Sequence, residues 1–170
     1  MEKTIEQIFQ VLQKLILLHR QLLEKVREEK EALVHVDVSA IEGITQTKEA
    51  LTESIRNEES KRLKLVGELA IEWKIPLRSL TLSQLIIEVQ GRDLKTSNQL
   101  RSAYQTLTFL VQRIQEQNRN NVHLVEGSLN RIQNMKKNVL NESAGNTKTY
   151  TSQGQSAVAN AKSIMLSKEA

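Results

Sequence analysis

The stretch IEQIFQVLQKLILLHRQLLEKVREEKEAL, residues 5–33, has a period that decides the fold. Ile5, Ile8, Leu12, Leu15, His19, Leu22, Val26, Glu29 and Leu33 follow an unbroken alternation of three- and four-residue steps. That spacing keeps one helical stripe turned toward a neighbour and is the seam spacing of a coiled coil. Phe9, Ile16 and Leu23 widen the stripe beyond a two-stranded seam. The helix is therefore expected to pack on more than one neighbour or on a partner.

The composition agrees. Of 170 residues, 39% are hydrophobic but only 3% aromatic, and Pro76 is the sole proline. This is the mix of long amphipathic helices with Leu, Ile and Val seams. The absence of cysteine excludes disulfide frameworks and thiolate metal sites. No apolar run approaches the roughly 18 residues of a membrane span, and MEKTIEQIF lacks the apolar stretch of a secretory signal. A cytoplasmic location is expected. Residues 1–72 hold 11 Lys/Arg against 14 Asp/Glu, and residues 73–170 hold 13 against 6. A basic second half can meet nucleic acid, an anionic surface or an acidic protein. Its cations are mostly spaced singly among Gln, Asn and Ser, with no cluster longer than Lys136-Lys137, the habit of a solvated helical face.

Working outward, VHVD (34–37) interrupts the first pattern, and Asp37 or Ser39 can cap a second helix by accepting its orphan N–H groups. That helix carries Ile41, Ile44, Leu51, Ile55, Leu65 and Leu69, with Lys48, Glu58 and Arg62 at in-register positions. Facing the first helix antiparallel, Lys48 or Arg62 is placed to meet Glu29. Trp73 closes this hairpin, and Pro76 ends the helix by forcing its predecessor out of helical geometry. SLTLSQLIIEVQG (79–91) reads as a short helix capped by Thr81 or Ser83 and stopped by Gly91. The last long helix carries Leu100, Tyr104, Leu107, Val111, Ile114, Asn118, Asn121, Val125, Leu129, Ile132 and Val139 on one side. There, Asn118 and Asn121 are polar groups of the kind that fix register. The expected helices span about 2–34, 38–73, 81–90 and 94–140, forming one bundle over 1–140. Residues 141–170 form a flexible polar tail, with a weak amphipathic helix at about 156–167 that is too short to stand alone. The fold class is all-α: elongated antiparallel helical hairpins with coiled-coil character.

The residues that chemistry would require do not converge. His19, His35 and His123 fit no HExxH arrangement, the glycines make no phosphate loop, and Glu28-Glu29 and Glu58-Glu59 are helix-surface charges. No enzyme activity, metal or cofactor is expected. Nucleic acid is a weaker reading despite a pI near 9.4, because aromatic platforms and known DNA-binding spacings are missing. What remains is a helical surface with seams, and such surfaces bind other helices.

Several motifs, taken in order, resemble the FlgN family of flagellar export chaperones. Leu33-Val34-His35-Val36-Asp37-Val38 resembles its junction between the first two helices. ITQTKEALTESI (44–55) resembles its KEALL stretch, and Arg62 matches a recurring arginine. TLSQLI (81–86) is similar to its short TLxEL helix, with Gln84 in place of the acidic residue. Asn118, Asn121, Leu124, Ser128 and Leu129 match a shared Asn/Leu/Ser signature, and TYTSQGQ (149–155) resembles a tail of the form YDAKGQ. The resemblance implies a cytosolic chaperone for hook-filament junction (hook-associated) proteins. Such a chaperone binds their helical C-terminal segments, prevents premature assembly and delivers them to the type III export gate and its ATPase-complex components. It implies no nucleic acid and only indirect membrane contact. Tyr150 takes the gate-docking role by this resemblance. Client-binding candidates are Leu124 and Leu129 on the last helix and Val158, Ile164, Met165 and Leu166 in the tail. Most apolar residues of the last helix are expected to pack the bundle instead. The rival readings are a structural coiled-coil or adaptor protein that self-associates through the first helix, a sister flagellar chaperone family, and a basic nucleic-acid-binding bundle. Homo-oligomerisation is left open.

Overall fold

The computed structural model describes residues 2–145, 148–150 and 156–158, with side chains up to residue 138. The chain is an all-α bundle of α1 (Glu2–His35), α2 (Val38–Trp73), α3 (Leu82–Gln90) and α4 (Leu94–Gly145), with a 3-10 turn at Leu77–Ser79. It divides into two compact units, Met1–Leu124 and Val125–Ala170.

In the first unit, α1 and α2 form an antiparallel hairpin and α4 runs along α1 in the same direction. The main core joins Ile5, Ile8, Leu12 and Leu15 of α1 to Val66 and Leu69 of α2, to Leu85, Ile86 and Val89 of α3, and to Leu100 and Ala103 of α4. Further along, Leu23 and Val26 meet Leu110 and Ile114 in a smaller cluster. The apolar stripe of α1 is wide because it serves α2 and α4 together. Beyond the second cluster, Ile41, Ile44 and Leu51 of α2 are only half-buried against α1.

The helix ends follow from capping chemistry. Asp37 caps α2, accepting from the Ala40 N–H at 3.0 Å. Thr81 caps α3, accepting from the Gln84 N–H at 3.2 Å. Asp93 precedes α4 and accepts from the N–H groups of Lys95 and Thr96 and from the Thr96 hydroxyl. These bonds, the hydroxyl's first among them, hold the Asp93 carboxyl below its ordinary value. Both long helices of the hairpin end in left-handed caps without glycine. At Val36 φ is 55° and at Lys74 it is 56°. In each, the next residue's N–H reaches back five residues, Asp37 to the Ala32 carbonyl and Ile75 to the Ala70 carbonyl, both at 3.0 Å. Ser97, fully buried, ties the start of α4 to α3 by donating to the Ile86 carbonyl at 3.0 Å.

In the second unit, α4 continues to Gly145, past the expected end at about 140, and β1 (Lys148–Tyr150) pairs antiparallel with β2 (Ser156–Val158). The sequence reading starts its weak helix at about 156, where the structure has β2. A stripe that short cannot sustain a helix alone, whereas pairing gives its backbone groups partners. The rest of that expected helix lies outside the described residues.

Candidate binding surfaces

Toward the α1–α2 turn, three helices of the first unit are locked by one carboxylate. Glu29 of α1 accepts from Lys48 Nζ of α2 at 2.6 Å and from Asn121 Nδ2 of α4 at 3.0 Å. Asn121 Nδ2 also donates to the Val26 carbonyl at 3.0 Å, and its buried Oδ1 has no partner among the described residues. Of the two cations the sequence places near Glu29, Lys48 makes the contact. Arg62 instead forks onto Glu59 one turn earlier on its own helix.

Above that lock lies an apolar groove of about 800 Å3. Its floor is Leu12, Leu15 and His19 of α1, one wall is Ile55, Arg62, Leu63 and Val66 of α2, and the other is Tyr104, Leu107, Thr108 and Val111 of α4. The 3-10 turn, through Leu77 and Arg78, borders one end. His19 Nδ1 lies 2.7 Å from the Leu15 carbonyl, which can only accept, so Nδ1 is the donor of this contact. The groove exists because α4 turns Ala103 and Leu110 to α1, where the sequence pattern points to Tyr104 and Val111. The apolar band of α4 is wider than one neighbour covers, and its outer half lines the groove. Sequence reasoning missed this surface. The available signal was the width of the band, together with Leu63 at the edge of the α2 seam.

In the second unit, the described part of α4 presents Val125, Leu129, Ile132 and Met135, all exposed and spaced to share one helical face. Leu129 is 53% exposed, and Leu124, the last residue of the first unit, is also exposed. Ile114, by contrast, is buried in the smaller core cluster. Val158 pairs through its backbone with Lys148, and Tyr150 with Ser156. The side chains of Tyr150 and Val158, and all of Ile164, Met165 and Leu166, lie outside the described residues. Of the six client-binding candidates, the structure therefore places two side chains, both on α4.

Among the described residues no group of His, Cys, Asp or Glu is arranged to hold a metal ion. No helix among them is long and apolar enough to cross a membrane. The chemistry on offer is apolar contact framed by charge, which suits the binding of another helix. Compared with known proteins, residues 1–157 match the family model described as FlgN protein. No curated protein and no solved structure matches the chain.

Proposed function

The chain belongs to the FlgN family, a family of flagellar export chaperones, and from that premise we propose how it works. It acts in the cytosol, binds the C-terminal helical segments of hook-associated proteins, keeps them unassembled and hands them to the type III export gate. The observation that carries this reading is the exposed ladder Val125, Leu129, Ile132 and Met135. A client terminus that is disordered before assembly exposes apolar, helix-prone surface, and such a ladder can cover it as a helix-to-helix seam. Ordering a flexible client costs part of the interaction energy, which keeps affinity moderate and allows unloading at the gate. Leu124 and Leu129 lie on the client side of this scheme, with Val158, Ile164, Met165 and Leu166 as further apolar contacts, and Tyr150 addresses the gate. Flagellar proteins are its partners, and it needs no nucleic acid, cofactor or catalysis for this work.

Co-expression with the C-terminal segment of a hook-associated protein tests the reading. The two are expected to co-purify, and Leu129→Glu combined with Ile132→Glu is expected to weaken capture by at least about tenfold, since a buried charge facing an apolar client costs more than 1.4 kcal/mol. Tyr150→Ala is expected to leave this capture unchanged while weakening binding to the gate. A folded chain that fails to co-purify with the segment sinks the proposal.

A further inference from the structure

The turn between α1 and α2 is studded with valine. Val34, Val36 and Val38 are 59%, 74% and 62% exposed. Val36 also holds its left-handed φ of 55°, an outlier for a β-branched residue that glycine adopts without strain. So exposed a side chain adds little to the core, and strain kept without a return in packing points to a use outside the bundle. The surroundings of this tip are acidic. Residues 24–49 hold 4 Lys/Arg against 7 Asp/Glu. Three of the carboxylates are paired, Glu24 with Arg27, Glu28 with Lys25 and Glu29 with Lys48. That leaves Lys30 against Glu31, Asp37, Glu42 and Glu49, all exposed. The ladder on α4 has the opposite character, since residues 125–138 hold 3 Lys/Arg against 1 Asp/Glu.

We propose that this valine tip docks on the exposed α4 ladder of a second copy of this chain. The sizes agree. From Val34 to Val38 the chain can span at most about 14 Å, and from Val125 to Met135 the helix rises about 15 Å. The charges select the pairing. A tip against a tip sets carboxylates against carboxylates, and a ladder against a ladder sets Arg131, Lys136 and Lys137 against themselves. A tip against a ladder joins apolar side chains to apolar side chains and opposite charges to one another. Nucleic acid and anionic lipid, both negative, are repelled by the unpaired carboxylates of the tip. The contact is heterologous, one surface of each copy meeting a different surface of the other. It rests on the ladder also assigned to clients, but it is measured on the chain alone, so it stands or fails apart from client capture.

Sedimentation velocity of the full chain over a concentration series tests this. Reversible self-association is expected at low salt, weakening as salt screens the charges. Val36→Gly is expected to leave the chain folded and at least as heat-stable, yet to weaken association by about tenfold. Two further variants identify the surfaces. One carries Val34→Gln, Val36→Gly and Val38→Gln and keeps its ladder; the other carries Leu129→Glu and Ile132→Glu and keeps its tip. Each alone is expected to be monomeric, while an equal mixture pairs again through the intact tip of one and the intact ladder of the other. Glu31→Lys with Glu42→Lys is expected to weaken association, and mixing that variant with Lys136→Glu plus Lys137→Glu to restore it. A chain that stays monomeric at every concentration overturns the proposal, as does self-association of either surface variant alone or a mixture that stays apart. Retention on phosphatidylcholine vesicles that the three valine substitutions abolish would give the tip to lipid and refute it. The C-terminal segment of a hook-associated protein is expected to dissolve the pairing. If the segment co-purifies and the pairing persists beside it, the tip is seated elsewhere and the proposal fails.

Discussion

At the scale of single residues, the contact among Glu29, Lys48 and Asn121 sets the register of three helices at one point. The Lys48 and Glu29 side chains are only 22% and 16% exposed, so neither charge is well solvated when its partner is removed. A surface ion pair is worth less than about 1 kcal/mol, but stranding one member of a largely buried pair costs considerably more. Lys48→Met is accordingly expected to lower unfolding free energy by about 2 kcal/mol. Glu29→Gln in the same background should recover most of that loss, because the amide carries no charge and still accepts from Asn121. A double-mutant cycle by urea denaturation checks this, and additive losses would show that the pair is not coupled. Asn121 contributes in a different way. Its amide satisfies Glu29 and the Val26 carbonyl while its own oxygen stays buried without a partner among the described residues. Such a group fixes position at some cost in stability.

At the scale of elements, the turn between α1 and α2 holds a β-branched residue where glycine is favoured. Val36 has φ of 55° and is 74% exposed, so it gains little packing in return for left-handed geometry. Val36→Gly is expected to raise stability by about 1 kcal/mol, since glycine carries no steric penalty there. Val36→Ala, which keeps a Cβ, should give less, and thermal unfolding of the two variants separates the effects. The helix limits were legible because caps are local. Asp37, Thr81 and Gly91 each announce a boundary in the residue types themselves. The seam of α1 was legible for the same reason, its period being written in consecutive residues. On α4 the period was read correctly, and Leu100, Ile114 and Asn121 of the expected stripe are buried, but Ala103 and Leu110 face α1 in place of Tyr104 and Val111. Tyr104 and Val111 are as apolar as Ala103 and Leu110, and which pair faces α1 depends on how a neighbour far away in sequence is seated. The groove stayed hidden for that reason, since an open surface between helices is a property of packing and not of any one helix. The candidate client and gate residues rested on apolar character and family resemblance. Of their side chains, the structure places only those of Leu124 and Leu129, both exposed on α4.

At the scale of the whole molecule, the first unit is unevenly consolidated along its length. On α2 the fully buried residues are Val66, Leu69 and Ala70, all in its last turns. Its first half, from Ile41 to Ile55, contributes only half-buried side chains to the seam with α1. Burial of a large aliphatic side chain is worth about 1.5–3 kcal/mol, so the end that gathers α1, α2, α3 and α4 holds most of the folding energy. The Glu29–Lys48–Asn121 contact is a polar lock on the other end, not a substitute for core. Opening should therefore begin at the α1–α2 turn and stop near the main core. Native-state hydrogen exchange gives the check: amides at 42–52 are expected to exchange at least about tenfold faster than amides at 66–70 of the same helix. Lys48→Met should widen that gap by accelerating the first group alone, because it removes the lock and leaves the core intact. Equal protection along α2 would mean that the hairpin opens as one unit, and the stability of its tip would then have to come from somewhere other than local burial.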